Sequence, residues 1–214
     1  MTSSIEARLQ AARDPNDQPS AAAARQLAEA AERHGLLDVA WARVDSPLGT
    51  LLAAATASGL CALWYEDSRV QQFLDTLARR ISPRVLEAPR RLDPVRRELD
   101  EYFAGRRRDF DVPLDWMLTF GIGGGPPAPP GFTQRVLQVA ARIPYGAVRT
   151  YRDVAAEAGN PKASRAAGNA LGANPLPIVV PCHRVVRTGG GLGGYTTGVG
   201  KKAFLLALEG TSRD

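Results

Sequence analysis

Between Gly121 and Gly131 the chain reads Gly-Ile-Gly-Gly-Gly-Pro-Pro-Ala-Pro-Pro-Gly, and no regular element can form there. Proline has no amide hydrogen to give a helix or a sheet, and glycine brings no side chain to bury in return for the order it would lose. An exposed linker is expected over residues 116–131, so the chain should fold in two parts, one on each side of it.

Ahead of the linker, the apolar runs Val39 to Asp45, Leu51 to Thr56 and Leu60 to Tyr65 have strand character. They are separated by Ser46-Pro47-Leu48-Gly49 and Ser58-Gly59, which is the punctuation of an antiparallel meander. Ser68 to Arg80 and Asp93 to Phe103 read as amphipathic helices, the second with Pro94 in its first turn after the cap candidate Asp93. Residues 39–115 are thus expected to be a small α/β domain, an antiparallel sheet plus helices. Residues 1–38 form an extension. In it, Ala21 to Arg33 reads as an alanine-rich helix that Gly35 can stop, and a face of alanines predicts a mobile arm or a loosely docked helix.

After the linker the pattern turns helical over 132–214, with Phe132 to Ala141, Tyr151 to Ala158, Lys162 to Leu171 and Lys201 to Leu208. Gly159-Asn160-Pro161 is a short turn between the second and third of these, as in a helix-turn-helix, and the glycine-rich stretch Gly189 to Gly194 would follow as a wing. Charge agrees with this shape. From Gly131 onward there are 11 Lys and Arg against 4 Asp and Glu, whereas residues 1–130 hold 16 against 18, so the C-terminal part is the one that faces a polyanion.

Of the two cysteines, Cys61 lies in the apolar run Gly59 to Trp64 and reads as core packing. Cys182 is different, because Ile178-Val179-Val180 and Val185-Val186 flank it and His183 and Arg184 follow at once. A thiol with a pKa of about 8.5 needs a base or a positive charge to become a nucleophile. Neighbouring side chains on an extended segment point apart, so Cys182 and His183 can meet directly only if the chain turns; otherwise a water must bridge them. Taken alone, the pair reads more readily as a buried structural cysteine beside a surface histidine, since a free cysteine is commonly a small buried hydrophobe. The spacing of cysteines and histidines offers no metal site. No apolar run is long enough to span a bilayer and no signal pattern opens the chain, so a cytoplasmic protein with no membrane partner is expected.

Pro181-Cys182-His183-Arg184-Val185, with Asn174-Pro175 before it and the glycine-rich loop and Tyr195 after it, resembles the O6-alkylguanine-DNA alkyltransferases, also called methylated-DNA–protein-cysteine methyltransferases. The resemblance runs from Phe132 to Gly210 through Ile143-Pro144-Tyr145-Gly146, Thr150-Tyr151, Ala158-Gly159-Asn160-Pro161, Arg165-Ala166-Ala167-Gly168 and Leu205-Leu206-Ala207-Leu208-Glu209-Gly210. Residues from about 39 to 113 resemble that family's N-terminal domain, with Asp45-Ser46-Pro47-Leu48-Gly49 as the anchor; residues 1–38 have no counterpart.

The resemblance implies a ribonuclease-H-like N-terminal topology and a mostly α, winged helix-turn-helix C-terminal domain. It implies a repair reaction in which Cys182 takes an alkyl group from O6-alkylguanine in double-stranded DNA, with O4-alkylthymine a second candidate. The base is flipped out of the stack, no cofactor is used, and each molecule reacts once. Glu209 and His183 would relay a proton from Cys182 through water, and Asn174 would lock the preceding turn. Tyr151 would contact the rotated phosphate and donate to guanine N3, and Arg165 would fill the gap left by the base. Ala166 and Gly168 belong to the small-residue helix that enters the minor groove. Tyr195 and Thr196 would wall the base pocket, and the Val185 carbonyl would accept from the exocyclic amine. A monomer is implied, with clustering on DNA left open.

Two other classes fit parts of this pattern. One is a DNA-binding module without chemistry, either a winged helix transcription factor or an alkyltransferase-like lesion binder; the lesion binders lack the cysteine in this motif, and here it is present. A Cys-His hydrolase would need an oxyanion site and a peptide cleft, of which the sequence gives no sign.

Overall fold

The computed structural model describes residues 21–67, 69–119 and 131–211; residues 1–20 of the extension and 120–130 of the linker lie outside this range. Strands β1 (Val39–Val44), β2 (Leu51–Thr56) and β3 (Gly59–Tyr65) form the meander, pairing Ala42 with Ala53 and Ala53 with Leu63. A fourth strand, β4 (Val85–Glu87), pairs in parallel with β1, so the order is β3-β2-β1-β4 and the sheet is mixed rather than antiparallel. Its three residues lie between Pro83 and Pro89, too few to show an alternation. It follows the crossover helix α2 (Val70–Arg80), and a crossover brings the next strand back in parallel.

Both faces of the sheet are covered. Val39, Trp41, Leu52, Ala54, Cys61 and Ala62 bury against Phe73 and Leu77 of α2. The alternate residues, among them Ala40, Ala42, Leu51 and Ala53, join Val95, Leu99 and Tyr102 of helix α3 (Asp93–Phe103). The same cluster continues into the C-terminal half through Val136, Leu137, Ile178 and Leu205. The two parts separated by the linker therefore share one core, and the Leu63 amide donates across the boundary to the Pro175 carbonyl at 2.8 Å. Helix α1 (Ala21–Arg33) buries Ala28 and Ala31 and pairs Glu29 with Arg90 and Glu32 with Arg91, both at 2.7 Å. These pairs are exposed, and each contributes about 1 kcal/mol or less.

The C-terminal half holds helices α4 (Phe132–Ala141), α5 (Tyr151–Glu157), α6 (Ser164–Gly172) and α7 (Val199–Leu208). Strands β5 (Arg149–Thr150) and β6 (Val185–Val186) pair in parallel and place Tyr151 beside the segment that carries Cys182. Thr150 and Asp153 close a capping box at the start of α5, with the Thr150 amide donating to Asp153 Oδ2 at 3.0 Å and the Asp153 amide to Thr150 Oγ1 at 3.2 Å. Helices α5 and α6 pack on each other across the turn at Gly159, where φ is +90°. Residues 189–194 form turn and irregular backbone without a strand. Among the described residues no helix is long and apolar enough to cross a membrane.

Candidate active site

The chain reaches Cys182 through a turn that Asn174 ties from its side chain. Its Oδ1 accepts from the Leu176 amide at 3.0 Å, and its Nδ2 donates to the Val180 carbonyl at 2.8 Å. Within this turn Ile178 is fully buried at φ +75°, a left-handed conformation that costs a β-branched residue about 1–3 kcal/mol and that the surrounding core enforces. Cys182–Arg184 then form a single 3-10 turn. The segment is not extended, and Cys182, His183 and Arg184 are all buried inward from it.

Glu209, the residue that follows α7, gathers these groups. His183 Nε2 lies 2.9 Å from Glu209 Oε1, and Arg184 grips both carboxylate oxygens, Nε to Oε2 and Nη2 to Oε1, each at 2.9 Å. Tyr102 donates to Oε1 at 2.7 Å and the Gly146 amide to Oε2 at 3.4 Å. Burial pushes the carboxyl up, but hydrogen bonds from His183 and Arg184 and the Arg184 charge outweigh it and hold Glu209 at about 2. Burial holds His183 below its ordinary value, against the pull of Glu209, so the imidazole rests neutral. The charge partner of Glu209 is thus Arg184, where the sequence reading had named only His183. An ionised carboxylate only accepts, so Nε2 carries the proton of the neutral ring and Nδ1 presents its lone pair. Nδ1 is buried and has no hydrogen-bond partner among the described residues, which leaves it free to take a proton.

Cys182 is a protonated thiol at rest. Burial pushes it up, and the Asn174 hydrogen bond, the Lys202 charge and the backbone amides of Cys182 and His183 pull it down without overcoming burial. Lys202 is fully buried, donates from Nζ to the Val185 carbonyl and is lowered to about 8 by burial, with Cys182 opposing. Cys61, by contrast, hydrogen-bonds the Ala54 carbonyl inside the sheet, and burial, aided by the Asp115 charge, pushes its thiol to about 12.

In front of the thiol lies an open cavity that brings together Tyr151, Arg165, Gly168, Cys182, Tyr195 and Thr196. An adjoining cleft reaches Cys182 past Asn174, Pro177 and Tyr195 toward Tyr65. Thr196 Oγ1 donates to the Gly172 carbonyl at 2.8 Å, and the Tyr151 hydroxyl to the Gly194 carbonyl at 3.4 Å. Burial raises the Tyr151 phenol, and a thiolate at Cys182 acts the same way, so it remains a donor. Arg165 is exposed on the first turn of α6. Ala166 is exposed on α6 outside the cavity lining, and Val185 is buried behind it, with its carbonyl already engaged by Lys202.

Sequence reasoning missed Tyr102, Lys202 and Arg187, the last an exposed residue of the cavity wall, and did not tie Arg184 to Glu209. One signal was present: Lys202, Leu205, Leu206 and Glu209 recur at helical spacing, so the stripe that buries the leucines carries the lysine and the glutamate with it. Among the described residues no group of three or more His, Cys, Asp or Glu could hold a metal ion.

With this geometry established, comparison with known proteins is specific. Residues 39–116 match the family model of the 6-O-methylguanine DNA methyltransferase ribonuclease-like domain, and residues 131–211 match that of the same family's DNA binding domain. The constitutive methylated-DNA–protein-cysteine methyltransferase of Bacillus subtilis is 37% identical over 169 residues, 77% of this chain and 92% of that protein. The methylated-DNA–protein-cysteine methyltransferase of Mycobacterium bovis is 37% identical over 171 residues, 78% of this chain and 89% of that protein. Among solved structures, Mycobacterium tuberculosis OGT in complex with DNA aligns with a TM-score of 0.64 at 35% identity, covering 81% of this chain and 94% of that one. The two family models fall on either side of the linker and the relatives span both, so this chain belongs to the methylated-DNA–protein-cysteine methyltransferase family.

Proposed function

We propose that this protein repairs O6-alkylguanine in double-stranded DNA by transferring the alkyl group to Cys182, once per molecule. The observation that carries this reading is a buried thiol at the floor of an open cavity, backed by a buried carboxylate–imidazole pair whose free nitrogen can take a proton.

Helix α6 is the element we assign to the minor groove, as the second helix of a helix-turn-helix formed with α5. Its small residues Ala166 and Gly168 let the backbone come close, and Arg165, exposed beside the cavity mouth, takes the place of the extruded nucleotide. Flipping is required because a carbon on O6 is inaccessible to in-line attack within the stack. The flipped guanine enters between Tyr195 and the Cys182 segment.

The proton of the Cys182 thiol passes through a bridging water to His183 Nδ1, and Glu209, held ionised by Arg184, stabilises the imidazolium that forms. The thiolate attacks the alkyl carbon, the S–C bond forms and the C–O6 bond breaks. Its electron pair leaves with guanine, and Tyr151 answers the charge by donating to N3. The Lys202 ammonium stabilises the thiolate from the other side. The product is a thioether with no acyl group to hydrolyse, so the molecule is spent. The protein acts as a monomer on DNA.

The test is incubation with excess duplex carrying one O6-methylguanine, read by intact mass and by lesion count. Repair should plateau at one lesion per protein with a single methyl group on Cys182, and Cys182→Ser should bind the duplex but repair nothing. Turnover past that plateau, or a methyl group on Cys61, would refute the mechanism.

A further inference from the structure

The reaction as described uses nothing from the sheet of the N-terminal half, yet the end of β3, Leu63 to Tyr65, lines the cleft that adjoins the cavity. Tyr65, the last residue of β3, is 3% exposed, and its hydroxyl lies 3.2 Å from the hydroxyl of Tyr195. The two rings meet edge to face, with centroids 6.5 Å apart and planes at 76°. Two further contacts cross the same boundary: Lys201 Nζ stands 3.9 Å over the Tyr65 ring and 3.7 Å from the Asp67 carboxylate. Both tyrosines line the cleft that runs to Cys182.

The loop that carries Tyr195 is tied on either side of it, at the Gly194 carbonyl by Tyr151 and at Thr196 by the Gly172 carbonyl, but neither bond holds the Tyr195 ring. Gly189, Gly190, Gly193 and Gly198 all have positive φ, and glycines allow a backbone many paths. A ring on such a loop needs an anchor outside it, and a phenol–phenol hydrogen bond is directional where apolar packing is not. Lys201, by holding the Tyr65 ring and Asp67, steadies the anchor from the start of α7.

We infer that Tyr65 is a positioning residue, in the N-terminal half, that sets how far Tyr195 stands from Cys182 and thereby how large an O6 substituent the protein transfers. This rests on the alkyl-transfer reading above. While the latch holds, the gap is narrow and suits a methyl group. Without it Tyr195 swings outward, methyl transfer loses its clamp, and a bulky substituent gains room.

The test uses the full chain and the free bases O6-methylguanine and O6-benzylguanine, so that DNA binding does not enter. Transfer to Cys182 is followed by intact mass in the wild type, Tyr65→Phe, Tyr195→Phe and the double variant. Each single variant removes one hydroxyl and keeps its ring. Each should raise the benzyl-to-methyl rate ratio about three- to tenfold, the range expected for losing one hydrogen bond. The double variant should show the same ratio as either single one, because both remove the same bond. An unchanged ratio in Tyr65→Phe would overturn the inference, as would ratios that multiply in the double variant, or a parallel loss on both bases that tracks a lower melting temperature. Failure of the underlying reading looks different, since the wild type would then leave Cys182 unmodified with duplex O6-methylguanine as well as with the free bases.

Discussion

Tyr102, on α3 of the N-terminal half, donates its hydroxyl to Glu209 Oε1 at 2.7 Å, with both side chains buried. Burial and the neighbouring negative charge of Glu209 raise the phenol far above its ordinary value, so it stays a donor. The carboxylate that orients His183 is therefore completed by a residue from the other side of the linker. Tyr102→Phe should lower stability by about 1.5–3 kcal/mol, the net worth of a hydrogen bond to a charged group, and slow alkyl transfer several-fold. Urea unfolding and single-turnover kinetics measure the two effects. A variant as stable and as fast as the wild type would remove Tyr102 from the relay.

The arrangement around Glu209 also predicts an acid signature. Its folded pKa of about 2 is below the unfolded value of 4.5, so its contribution is complete above pH 4.5 and is lost as pH falls toward 2. Glu209→Gln should be less stable at pH 7 by about 3–5 kcal/mol, because Arg184 is left buried without its partner. The gap between wild type and variant should narrow as pH falls from 4.5. Asp38 and Asp153, also lowered by their hydrogen bonds, titrate in both proteins and cancel in the comparison. A gap that stays constant down to pH 3 would mean that Glu209 is not held ionised as described.

These two predictions concern residues that differ in how visible they were beforehand. β2 follows its run of apolar residues and α3 its amphipathic period, because local patterning decides both. β4 is set by its pairing with β1, which three residues cannot announce. The approach of His183 to Glu209 joins residues 26 positions apart, and only the resemblance suggested it. Tyr102 lies 107 positions from Glu209 and looks, in its own helix, like any aromatic on the buried face. Arg184 was hidden in another way, since its place in the sequence puts its charge beside the thiol, and only the tight turn that folds it inward brings it onto Glu209.

Arg165 should matter only where a duplex must be opened. It is exposed at the cavity mouth, on a helix whose neighbouring residues are small. Arg165→Ala should slow repair of duplex O6-methylguanine at least tenfold while leaving transfer from free O6-benzylguanine within about twofold; a factor of ten corresponds to about 1.4 kcal/mol in the barrier. Equal losses on the two substrates would show that Arg165 acts on the chemistry or the fold and not on flipping.

Gly193 tests whether the loop places Tyr151 as well as Tyr195. A Cβ at Gly193 would lie 2.8 Å from the Tyr151 hydroxyl oxygen and 2.9 Å from Cε2, closer than atoms can approach, and φ there is +73°. Gly193→Ala therefore combines two effects, a left-handed backbone that costs about 1–2 kcal/mol and a displaced Tyr151 ring. Two other glycines of the same loop separate them. Gly189 has φ +92° with nothing within 4 Å of its Cβ position, so Gly189→Ala carries the backbone strain without the clash. Gly194 has open space at its Cβ position and no positive φ, so Gly194→Ala carries neither, and it keeps the carbonyl that accepts from Tyr151. Thermal melting should fall in Gly193→Ala and Gly189→Ala and hold in Gly194→Ala. The methyl-transfer rate should drop at least tenfold in Gly193→Ala alone, since only there is Tyr151, proposed above as the donor to guanine N3, pushed from its place. If Gly189→Ala loses as much rate as Gly193→Ala, strain in the loop is the cause and the placement of Tyr151 by Gly193 is refuted.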